Sequence, residues 1–249
     1  MNGNEMRINA IIQARCGSKR FPKKVFAKIE GKPLIWHVIN RLRYSEMIDG
    51  IVVATTTNPN DDSLESWCRG EDVKCFRGSE NDVLNRYYQA SLAFPSDIVV
   101  RITADDPFKE PRIIDQVIQK LLEGGYDLAT NNFPPSFPEG FDCEAFTFSA
   151  LEKMEKSTKD EFEREHVTQY IYHNPEIFRI GNVSSEIQLS SYRWTIDNEE
   201  DYEMVKAIYE KREKNKNGIL LMGEILEILN RYPEIVSINS KVKRSAMYQ

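Results

Sequence analysis

The sequence RINAIIQARCGSKRFPKK, residues 7–24, joins a short apolar run to a cationic loop and decides the fold class. Its first part, residues 7–13, is rich in β-branched residues without a helical period, so it predicts a buried strand. Its second part contains Gly17, Ser18 and five cations within ten residues. A strand that ends in such a loop is typical of an α/β domain whose ligand lies at the carboxyl edge of a parallel sheet.

The same alternation of apolar strands and amphipathic helices continues outward from this stretch. Strands are predicted over residues 7–13, 50–55, 73–76, 97–103, 126–130, 178–183 and 193–196, with an antiparallel strand over 143–148. Helices are predicted over residues 33–44, 60–68, 81–93, 111–122, 160–173, 198–211 and 221–231. Continuous apolar strands that alternate with helices favour a mostly parallel sheet covered on both faces.

The length and composition predict one globular domain over residues 1–249. Hydrophobic residues make up 41% and charged residues 29% of the 249, within the ordinary range of globular proteins. No apolar run approaches the ~20 residues that span a bilayer, and the N-terminus lacks a cleavable signal layout. We therefore expect a cytoplasmic protein, with a mobile basic tail from residue 241 onward (KVKRSAMYQ).

The charge balance and the cysteines exclude further classes of protein. The 33 Lys and Arg against 39 Asp and Glu give a net charge of -6, which disfavours a broad nucleic-acid surface but permits a local basic pocket. The four cysteines are dispersed and form no CxxC motif, so neither a zinc site nor a disulfide framework is indicated. Free thiols in a reducing compartment are the simpler interpretation.

The cationic loop has the chemistry of a polyphosphate site. Exposed backbone N–H groups around Gly17 and Ser18, together with Arg side chains, commonly bind phosphate groups. A solvated basic loop is the alternative interpretation, and the position after a strand favours the phosphate site. The loop matches neither the Walker A motif nor G-x-G-x-x-G, so ATPase and dinucleotide-binding functions lose their usual support.

Acidic residues end two later strands and are candidate metal ligands. Asp105 and Asp106 follow the strand in RITADDP, and Asp197 follows RWTI in RWTIDNEED. Carboxylates that face a phosphate loop suit Mg²⁺, which also binds phosphate oxygens. An Asp-Pro turn and a helix cap are the structural alternatives. A third strand-end loop, residues 77–82, is a candidate for backbone contacts to a nucleobase.

Taken together, these motifs resemble those of the cytidylyltransferase family that activates 3-deoxy-manno-octulosonate and acylneuraminate sugars, particularly its spore coat polysaccharide biosynthesis protein F branch. The resemblance covers almost the whole chain in order. It is carried by residues 11–42 (IIQARCGSKRFPKKVFAKIEGKPLIWHVINRL), 52–62 (VVATTTNPNDD), 76–90 (FRGSENDVLNRYYQA), 100–107 (VRITADDP), 141–146 (FDCEAF), 163–171 (EREHVTQYI) and 193–210 (RWTIDNEEDYEMVKAIYE).

The resemblance implies a Rossmann-like, three-layer α/β/α nucleotide-diphospho-sugar transferase fold with a mostly parallel central sheet. It implies transfer of CMP from CTP to an acidic sugar of the 2-keto-3-deoxy or nonulosonic type, with Mg²⁺ as cofactor and pyrophosphate as the leaving group. Surface polysaccharide or glycan biosynthesis is the implied setting. The implied assembly is a homodimer, in which an insertion around residues 131–183 lies at the interface and faces the sugar.

The resemblance also assigns residues to the site. Those implied to bind CTP are Ala14, Arg15, Gly17, Ser18, Arg20, Lys24, Arg77, Gly78 and Ser79. Those implied to bind the sugar are Arg101, Asp142, Glu144, Glu165 and His166. Asp105 and Asp197 are implied to hold Mg²⁺, and Arg15, Lys24 and Asp105 to carry the catalysis. Lys23 stands where Gly is common in the family.

Two other functions remain open on the sequence. A glycosyltransferase with a nucleotide-sugar donor shares the fold, and Asp105 and Asp106 suit its acidic metal motif. However, the loop over residues 15–24 fits a triphosphate better than a diphospho-sugar. A nucleotide-binding subunit without turnover is the second alternative, although such a protein has less need for both Asp105 and Asp197.

Overall fold

The apolar runs of the sequence form strands, as their β-branched composition predicts. A computed structural model describes residues 6–18, 20–213 and 218–244 of the chain. Its strands are β1 (Ile8–Gln13), β2 (Lys28–Ile29), β3 (Lys32–Pro33), β4 (Gly50–Thr56), β5 (Lys74–Gly78), β6 (Ile98–Thr103), β7 (Leu128–Thr130), β8 (Glu144–Thr147) and β9 (Ile180–Asn182).

Helices connect most of these strands, and polar caps set where several begin. The helices are α1 (Leu34–Leu42), α2 (Asp62–Gly70), α3 (Val83–Ala93), α4 (Pro111–Gly124), α5 (Phe148–Ser157), α6 (Glu161–His166), α7 (Gln169–His173), α8 (Glu199–Glu210), α9 (Met222–Arg231) and α10 (Glu234–Ser237). Asp82 caps α3, and Asn198 caps α8 as predicted, each by accepting a backbone N–H bond through its side chain.

The central sheet has seven strands in the order β5-β4-β1-β6-β8-β7-β9. Neighbouring strands are parallel except at β8, which runs antiparallel to both β6 and β7. The predicted mostly parallel sheet and its antiparallel strand are therefore confirmed. Because β1, β4 and β6 are adjacent and parallel, the loops that follow them meet at one edge of the sheet.

Helices cover both faces of the sheet, which gives the predicted three layers. Ile12 on β1 lies in one apolar cluster with residues of α1, α2 and α4. Ile11, its neighbour in the chain, lies in the opposite cluster with residues of α3, α5 and α7. A third cluster joins α8, α9 and α10 to the loops around Phe108 and Trp194. This third cluster packs the C-terminal helices against the loops at the carboxyl edge of the sheet.

The helix predicted over residues 160–173 is in fact two short helices, α6 and α7. Between them, Val167 has a φ of 61° and a ψ of −67°, which interrupts the helical hydrogen bonds. The N–H of Thr168 donates to the C=O of His166 at 2.7 Å and closes a γ-turn at this point. The amphipathic pattern is compatible with one helix, so the prediction of a single helix over residues 160–173 is wrong. The break is visible only in the backbone conformation of Val167.

Two other differences concern the C-terminal half. The predicted strand over residues 193–196 is an irregular segment in which Arg193 forms an isolated bridge with Glu139. Helix α5 has no counterpart among the predicted elements. Of the basic tail, residues 241–244 are described and Arg244 is anchored by an ion pair with Glu139, whereas residues 245–249 lie outside the described ranges.

All four cysteines are free, as the sequence predicts. Within the described ranges, none of the helices combines the length and the apolar character that crossing a bilayer requires.

Candidate functional site

The carboxyl ends of β1 and β6 open into a cavity of 820 Å³. This is the edge at which open α/β sheets bind their ligands. The residues that line the cavity are Gln13, Ala14, Arg15, Ser18, Arg20, Lys24, Val25, Glu80, Asn81, Asp82, Val83, Arg86, Thr103, Ala104, Asp105, Glu161, Arg164, Glu165 and Asp197. The fold therefore brings together segments from β1 to the start of α8, including both predicted metal ligands.

Lys24 lies between the two carboxylates that the sequence predicts as metal ligands. Its ammonium donates to Asp105 Oδ2 at 2.9 Å, to Asp197 Oδ1 at 3.1 Å and to the C=O of Ile196 at 2.8 Å. Burial opposes the charge, but the two carboxylates outweigh it and raise the pKa of Lys24. The sequence predicts that Lys24 binds the triphosphate, whereas in the structure its ammonium binds the two carboxylates.

Asp105 and Asp106 are adjacent in sequence but have different surroundings. Burial opposes ionisation of Asp105, yet the Lys24 ammonium lowers the pKa of Asp105 to about 2. Asp106 instead accepts from the Thr103 hydroxyl at 2.7 Å and pairs with the buried Lys109 at 2.8 Å. The surroundings of Asp105 therefore suit a metal ligand. Those of Asp106 suit the structural alternative, in which the carboxylate stabilises the turn after β6.

The loop after β1 supplies the cations of the cavity wall. Arg15 lies 3.8 Å from Glu80, and its side chain is 48% exposed. Arg20 lies 3.1 Å from Asp197, and its side chain is 65% exposed. Both guanidinium groups are therefore accessible to an anionic ligand. Ser18 and Ala14 also line the cavity, whereas Lys19 lies outside the described residues.

The shape of this loop depends on backbone contacts. The N–H of Cys16 donates to Asp61 Oδ1 at 2.7 Å, and the N–H of Lys23 donates to the C=O of Cys16 at 3.1 Å. Lys23 has a φ of 55°, in the left-handed region that Gly adopts without steric cost. This conformation explains why Gly suits the position in the family that the sequence resembles. Gly17 belongs to the turn itself rather than to the cavity wall.

Arg77, which is predicted to contact the nucleotide, is not among the residues that line the cavity. Its guanidinium donates to the backbone C=O groups of Thr56 and Asn58, each at 2.9 Å. It also pairs with Asp62 at 2.6 Å and with Glu65 at 3.0 Å. Arg77 therefore ties β5 to α2.

Gly78 and Ser79 shape the loop after β5 without lining the cavity. A Cβ at Gly78 would lie 2.9 Å from the Phe76 ring and 3.0 Å from Arg86 Cγ, so close packing accounts for the glycine. The Ser79 hydroxyl accepts from the N–H of Asp82 at 3.1 Å. The loop does reach the cavity, but through residues 80–82 that follow it.

Arg101 and Glu144 bind each other instead of lining the cavity. The Arg101 guanidinium lies 2.7 Å from Glu144, whose oxygens also accept from the hydroxyls of Thr168 at 2.9 Å and Tyr172 at 2.7 Å. Burial opposes the charge of Arg101, but Glu144 raises its pKa above the ordinary value. These two predicted sugar-binding residues therefore join β6, β8 and α7, while the backbone C=O of Asp142 accepts from the Lys109 ammonium.

The other predicted sugar-binding residues are on α6. Glu165 lines the cavity, so it alone of the five predicted sugar-binding residues is on its wall. His166 is exposed, and its ring lies 4.4 Å from that of Phe162.

Two arginines on the cavity wall were not predicted from the sequence. Arg86 on α3 is 1% exposed and donates to the C=O of Ser79 at 2.5 Å. Arg164 on α6 pairs with Asp82 at 2.7 Å and with Glu155 at 2.8 Å. Both lie within helices, where no spacing distinguishes them from surface residues.

Asp105 and Asp197 fit a hard divalent cation by the chemistry of their side chains. Each already directs one oxygen to the same cationic group, the Lys24 ammonium. Over residues 6–18, 20–213 and 218–244, no three His, Cys, Asp or Glu side chains converge into a complete metal site. A Mg²⁺ here would take its other ligands from phosphate oxygens and water, as it commonly does.

Comparison of the sequence with known protein families gives a match over most of the chain. A sequence model of the cytidylyltransferase family matches residues 9–229, from β1 to near the end of α9. The chain belongs to the cytidylyltransferase family. The family prediction from the sequence motifs is thereby confirmed.

Two relatives of this cytidylyltransferase match nearly its whole length, and a third matches about half of it. Protein MJ1063 of Methanocaldococcus jannaschii is 36% identical over 244 residues, which are 97% of this chain and 98% of that protein. The spore coat polysaccharide biosynthesis protein SpsF of Bacillus subtilis is 32% identical over 232 residues, 90% of this chain and 94% of that protein. A 3-deoxy-manno-octulosonate cytidylyltransferase of Pelobacter propionicus is 32% identical over 118 residues, about half of each chain.

A solved structure confirms the fold of the whole domain. The cytidylyltransferase from Leptospira borgpetersenii superimposes with a TM-score of 0.87 and 33% sequence identity, over 93% of this chain and 97% of that one. The predicted nucleotide-diphospho-sugar transferase architecture is therefore that of a known cytidylyltransferase. The family match ends at residue 229, so α10 and residues 239–244 lie beyond it.

Proposed function

We propose that this cytidylyltransferase transfers CMP from CTP to a hydroxyl of an acidic sugar of the 2-keto-3-deoxy or nonulosonic type. The observation that carries the proposal is the convergence of Arg15, Arg20, Asp105 and Asp197 on one cavity at the carboxyl edge of the sheet. The names of the relatives, SpsF and 3-deoxy-manno-octulosonate cytidylyltransferase, support the sugar class and a role in surface polysaccharide or glycan synthesis.

The proposed step is an in-line displacement at the α-phosphorus of CTP. The sugar hydroxyl oxygen forms a bond to the α-phosphorus, and the bond from the α-phosphorus to the oxygen bridging to the β-phosphate breaks. Pyrophosphate leaves with that electron pair, and the hydroxyl proton passes to water. Such chemistry depends mainly on positioning and on neutralising the phosphate charge.

The residues of the cavity suit these two tasks. Arg15 and Arg20 are accessible cations that would bind the β- and γ-phosphates, together with Ser18 and backbone N–H groups of the loop. Lys24 holds Asp105 and Asp197 at one point and adds positive charge next to the phosphates. No side-chain base is required by the proposal.

Mg²⁺ is the proposed cofactor, held by Asp105, Asp197 and phosphate oxygens. When bound, it would neutralise phosphate charge and lower the pKa of the attacking hydroxyl. The Lys24 ammonium lowers the pKa of Asp105 to about 2, so this proposed ligand is ionised at neutral pH.

The insertion around residues 131–183 remains the proposed sugar-binding and dimerisation region. Its support is that α6, within it, contributes Glu161, Arg164 and Glu165 to the cavity wall. Arg101 and Glu144 would then act by joining this region to β6 rather than by touching the sugar from the cavity wall, and Asp142 and His166 remain proposed sugar contacts. Sedimentation of the purified protein measures the proposed homodimer directly.

The proposal is tested first by nucleotide binding and then by turnover. Thermal unfolding is recorded with CTP, UTP, ATP and GTP, each with and without Mg²⁺. A ligand at 100 times its Kd stabilises by roughly 2.7 kcal/mol, which raises Tm by roughly 5–10 °C for a domain of this size. We expect this shift for CTP, followed by pyrophosphate release when 3-deoxy-manno-octulosonate or another 2-keto-3-deoxy sugar acid is added.

Variants and alternative substrates sharpen the test. Arg15→Ala should reduce the CTP shift, whereas Arg43→Ala, an exposed cation at the end of α1, should leave it unchanged. A shift with UDP-sugars and none with CTP would contradict the proposal and favour the glycosyltransferase alternative. CTP binding, without release of pyrophosphate from CTP in the presence of any acidic sugar, would favour a binding subunit.

A further inference from the structure

We propose that Arg193 is a positioning residue for Asp197. Asn239 and Arg244, near the C-terminus, stabilise Arg193 through the carboxylates that it binds. The affinity of the site for a divalent cation then depends on a segment that lies beyond the family match at residues 9–229. This inference rests on the proposed function, since it takes Asp197 as a metal ligand.

Arg193 is a buried cation that binds three carboxylates at once. Its side chain is 5% exposed. Nη2 donates to Asp197 Oδ2 at 3.0 Å, Nη1 donates to Glu139 Oε1 at 2.5 Å, and Nε donates to Asp201 Oδ1 at 2.9 Å. The planar guanidinium holds its donors in a fixed fork, so the three carboxylates are held at fixed positions relative to one another.

The two oxygens of Asp197 have different partners on opposite sides. Oδ2 accepts from Arg193, whereas Oδ1 accepts from Lys24 and lies 3.1 Å from the Arg20 guanidinium. Lys24 and Arg20 line the cavity, and Arg193 does not. Arg193 therefore holds the carboxylate from behind and leaves Oδ1 directed into the cavity, where a cation would bind.

Asp201 holds the backbone of the same residue. Its Oδ2 accepts from the N–H of Asp197 at 3.0 Å and from Arg193 Nη2 at 2.9 Å. Asp201 lies in the first turn of α8 and is fully buried. Both the side chain and the backbone of Asp197 are thus tied to the start of this helix.

Asn239 and Arg244, near the C-terminus, bind two of the carboxylates that Arg193 binds. Asn239 donates to Asp201 Oδ1 at 2.9 Å and to the C=O of Arg193 at 3.1 Å. Arg244 Nε lies 3.1 Å from Glu139 Oε2, and the same guanidinium donates to the C=O of Tyr192 at 3.2 Å. Without these partners, Asp201 and Glu139 would each lose a donor while buried, which weakens the hold on Arg193.

Direct binding of Mn²⁺, a probe for Mg²⁺, tests this role. Mn²⁺ affinity is measured by water-proton relaxation on the full chain saturated with CTP, with the Mn²⁺–CTP complex alone as the blank. Loss of a residue that orients a metal ligand typically weakens metal affinity by about 10- to 100-fold. We expect such a loss for Arg193→Lys, and a smaller loss, about fivefold, for Asn239→Ala and for Arg244→Ala, which act one contact further away.

One further readout and one control variant separate positioning from a general structural effect. CTP affinity without metal should stay within about twofold of wild type, since the phosphate cations are unchanged. Lys241→Ala, an exposed cation in the same segment, is the matched control and should bind Mn²⁺ like wild type. If Arg193→Lys fails to fold, Asn239→Ala and Arg244→Ala decide the question, because they change only peripheral contacts.

The outcomes distinguish this inference from the proposed function. The positioning role alone would be overturned if Asn239→Ala, Arg244→Ala and any folded Arg193→Lys bind Mn²⁺ as tightly as wild type. This holds provided that Asp197→Asn shows a large loss of Mn²⁺ affinity. Wild-type Mn²⁺ affinity in Asp197→Asn itself would overturn the metal assignment of the proposed function. Loss of CTP affinity in parallel with Mn²⁺ affinity would show a general structural effect and would also overturn the inference.

Discussion

Asp105 and Asp197 reach the same cavity from two regions that position them in different ways. Asp105 follows β6, a strand in the middle of the sheet, and the backbone N–H of the preceding Ala104 donates to the C=O of Gln13 on β1 at 3.2 Å. Asp197 follows an irregular segment, and Arg193 and Asp201 hold it through side-chain contacts. The N–H of Ile196 donates to the C=O of Asp105 at 2.9 Å and joins the two regions.

The difference shows that one site can combine two kinds of support. A strand end is positioned by the backbone ladder, which tolerates changes in the side chains around it. A carboxylate held by a buried guanidinium depends on particular charged partners, because removing one leaves the others uncompensated. We therefore expect the Asp197 region to be more sensitive to single substitutions than the Asp105 region, with one exception.

That exception is Lys109, which should show the largest effect on stability. The Lys109 side chain is 1% exposed and pairs with Asp106, next to Asp105. Lys109→Met would leave Asp106 buried without its cation, which typically costs about 3–5 kcal/mol. Urea unfolding of the variant should show this loss of the free energy of unfolding.

The double variant supplies the control for Lys109. Replacing Asp106 by Asn together with Lys109→Met removes both charges, so part of the lost stability should return. A single variant within about 1 kcal/mol of wild type would show that the Asp105 region does not depend on this buried pair.

The second prediction compares the two carboxylates in catalysis. Asp105→Asn and Asp197→Asn should each reduce kcat by about 100-fold or more, because each removes a charge that supports the metal at the reacting phosphate. That loss corresponds to about 3 kcal/mol in the activation barrier. Steady-state pyrophosphate release measures it, and circular dichroism checks that both variants remain folded. Near-normal turnover in either variant would exclude that residue as a required ligand.

The part of the fold that supports Asp105 was predictable from the sequence. The strands β1, β4 and β6 are largely buried on both faces, so their sequences are continuous apolar runs that few other structures would accommodate. The carboxyl ends of adjacent parallel strands share one edge of the sheet, so this pattern of runs is sufficient to bring Arg15 and Asp105 together.

The support of Asp197 was not predictable in the same way. The segment RWTI alternates polar and apolar residues like a strand, yet Arg193 binds Glu139, which is 54 residues away in the chain. Nothing local indicates such a pairing, since a charged residue near a helix start is more often exposed. The sequence likewise gives no local signal that Arg86 and Arg164 line the cavity, or that the carboxylate partners of Arg77 lie on α2.

A third prediction concerns Arg20, an exposed cation on the loop after β1. Arg20→Ala should raise KM for CTP by about tenfold with little change in kcat, because it removes one charged hydrogen bond to the phosphates. Such a bond contributes about 1.5 kcal/mol, and about 1.4 kcal/mol is a factor of ten in affinity. Arg43→Ala is the matched control, and steady-state kinetics at varied CTP gives both constants. An unchanged KM would place the phosphates away from Arg20.

The smallest expected effect concerns a histidine that lies where the two regions pack together. The His37 ring contacts Tyr209 on α8, at 5.2 Å between centroids, and Tyr209 stacks on Phe108 from the Asp105 loop at 5.3 Å. His37 Nε2 donates to the C=O of Ile29 at 2.8 Å. Burial lowers the pKa of His37, so the folded state favours the neutral ring.

The sign of the pH dependence follows from this shift. Below about pH 6.5 the unfolded chain protonates this histidine before the folded chain does, so the stability that His37 contributes is present above that pH and lost as the pH falls. One proton allows a slope of at most about 1.4 kcal/mol per pH unit. Urea unfolding at about pH 7.5 and about pH 5.5, on either side of the ordinary histidine pKa, should therefore show a smaller loss in His37→Gln than in wild type. Equal losses in His37→Gln and in wild type would exclude His37 as the source of the loss.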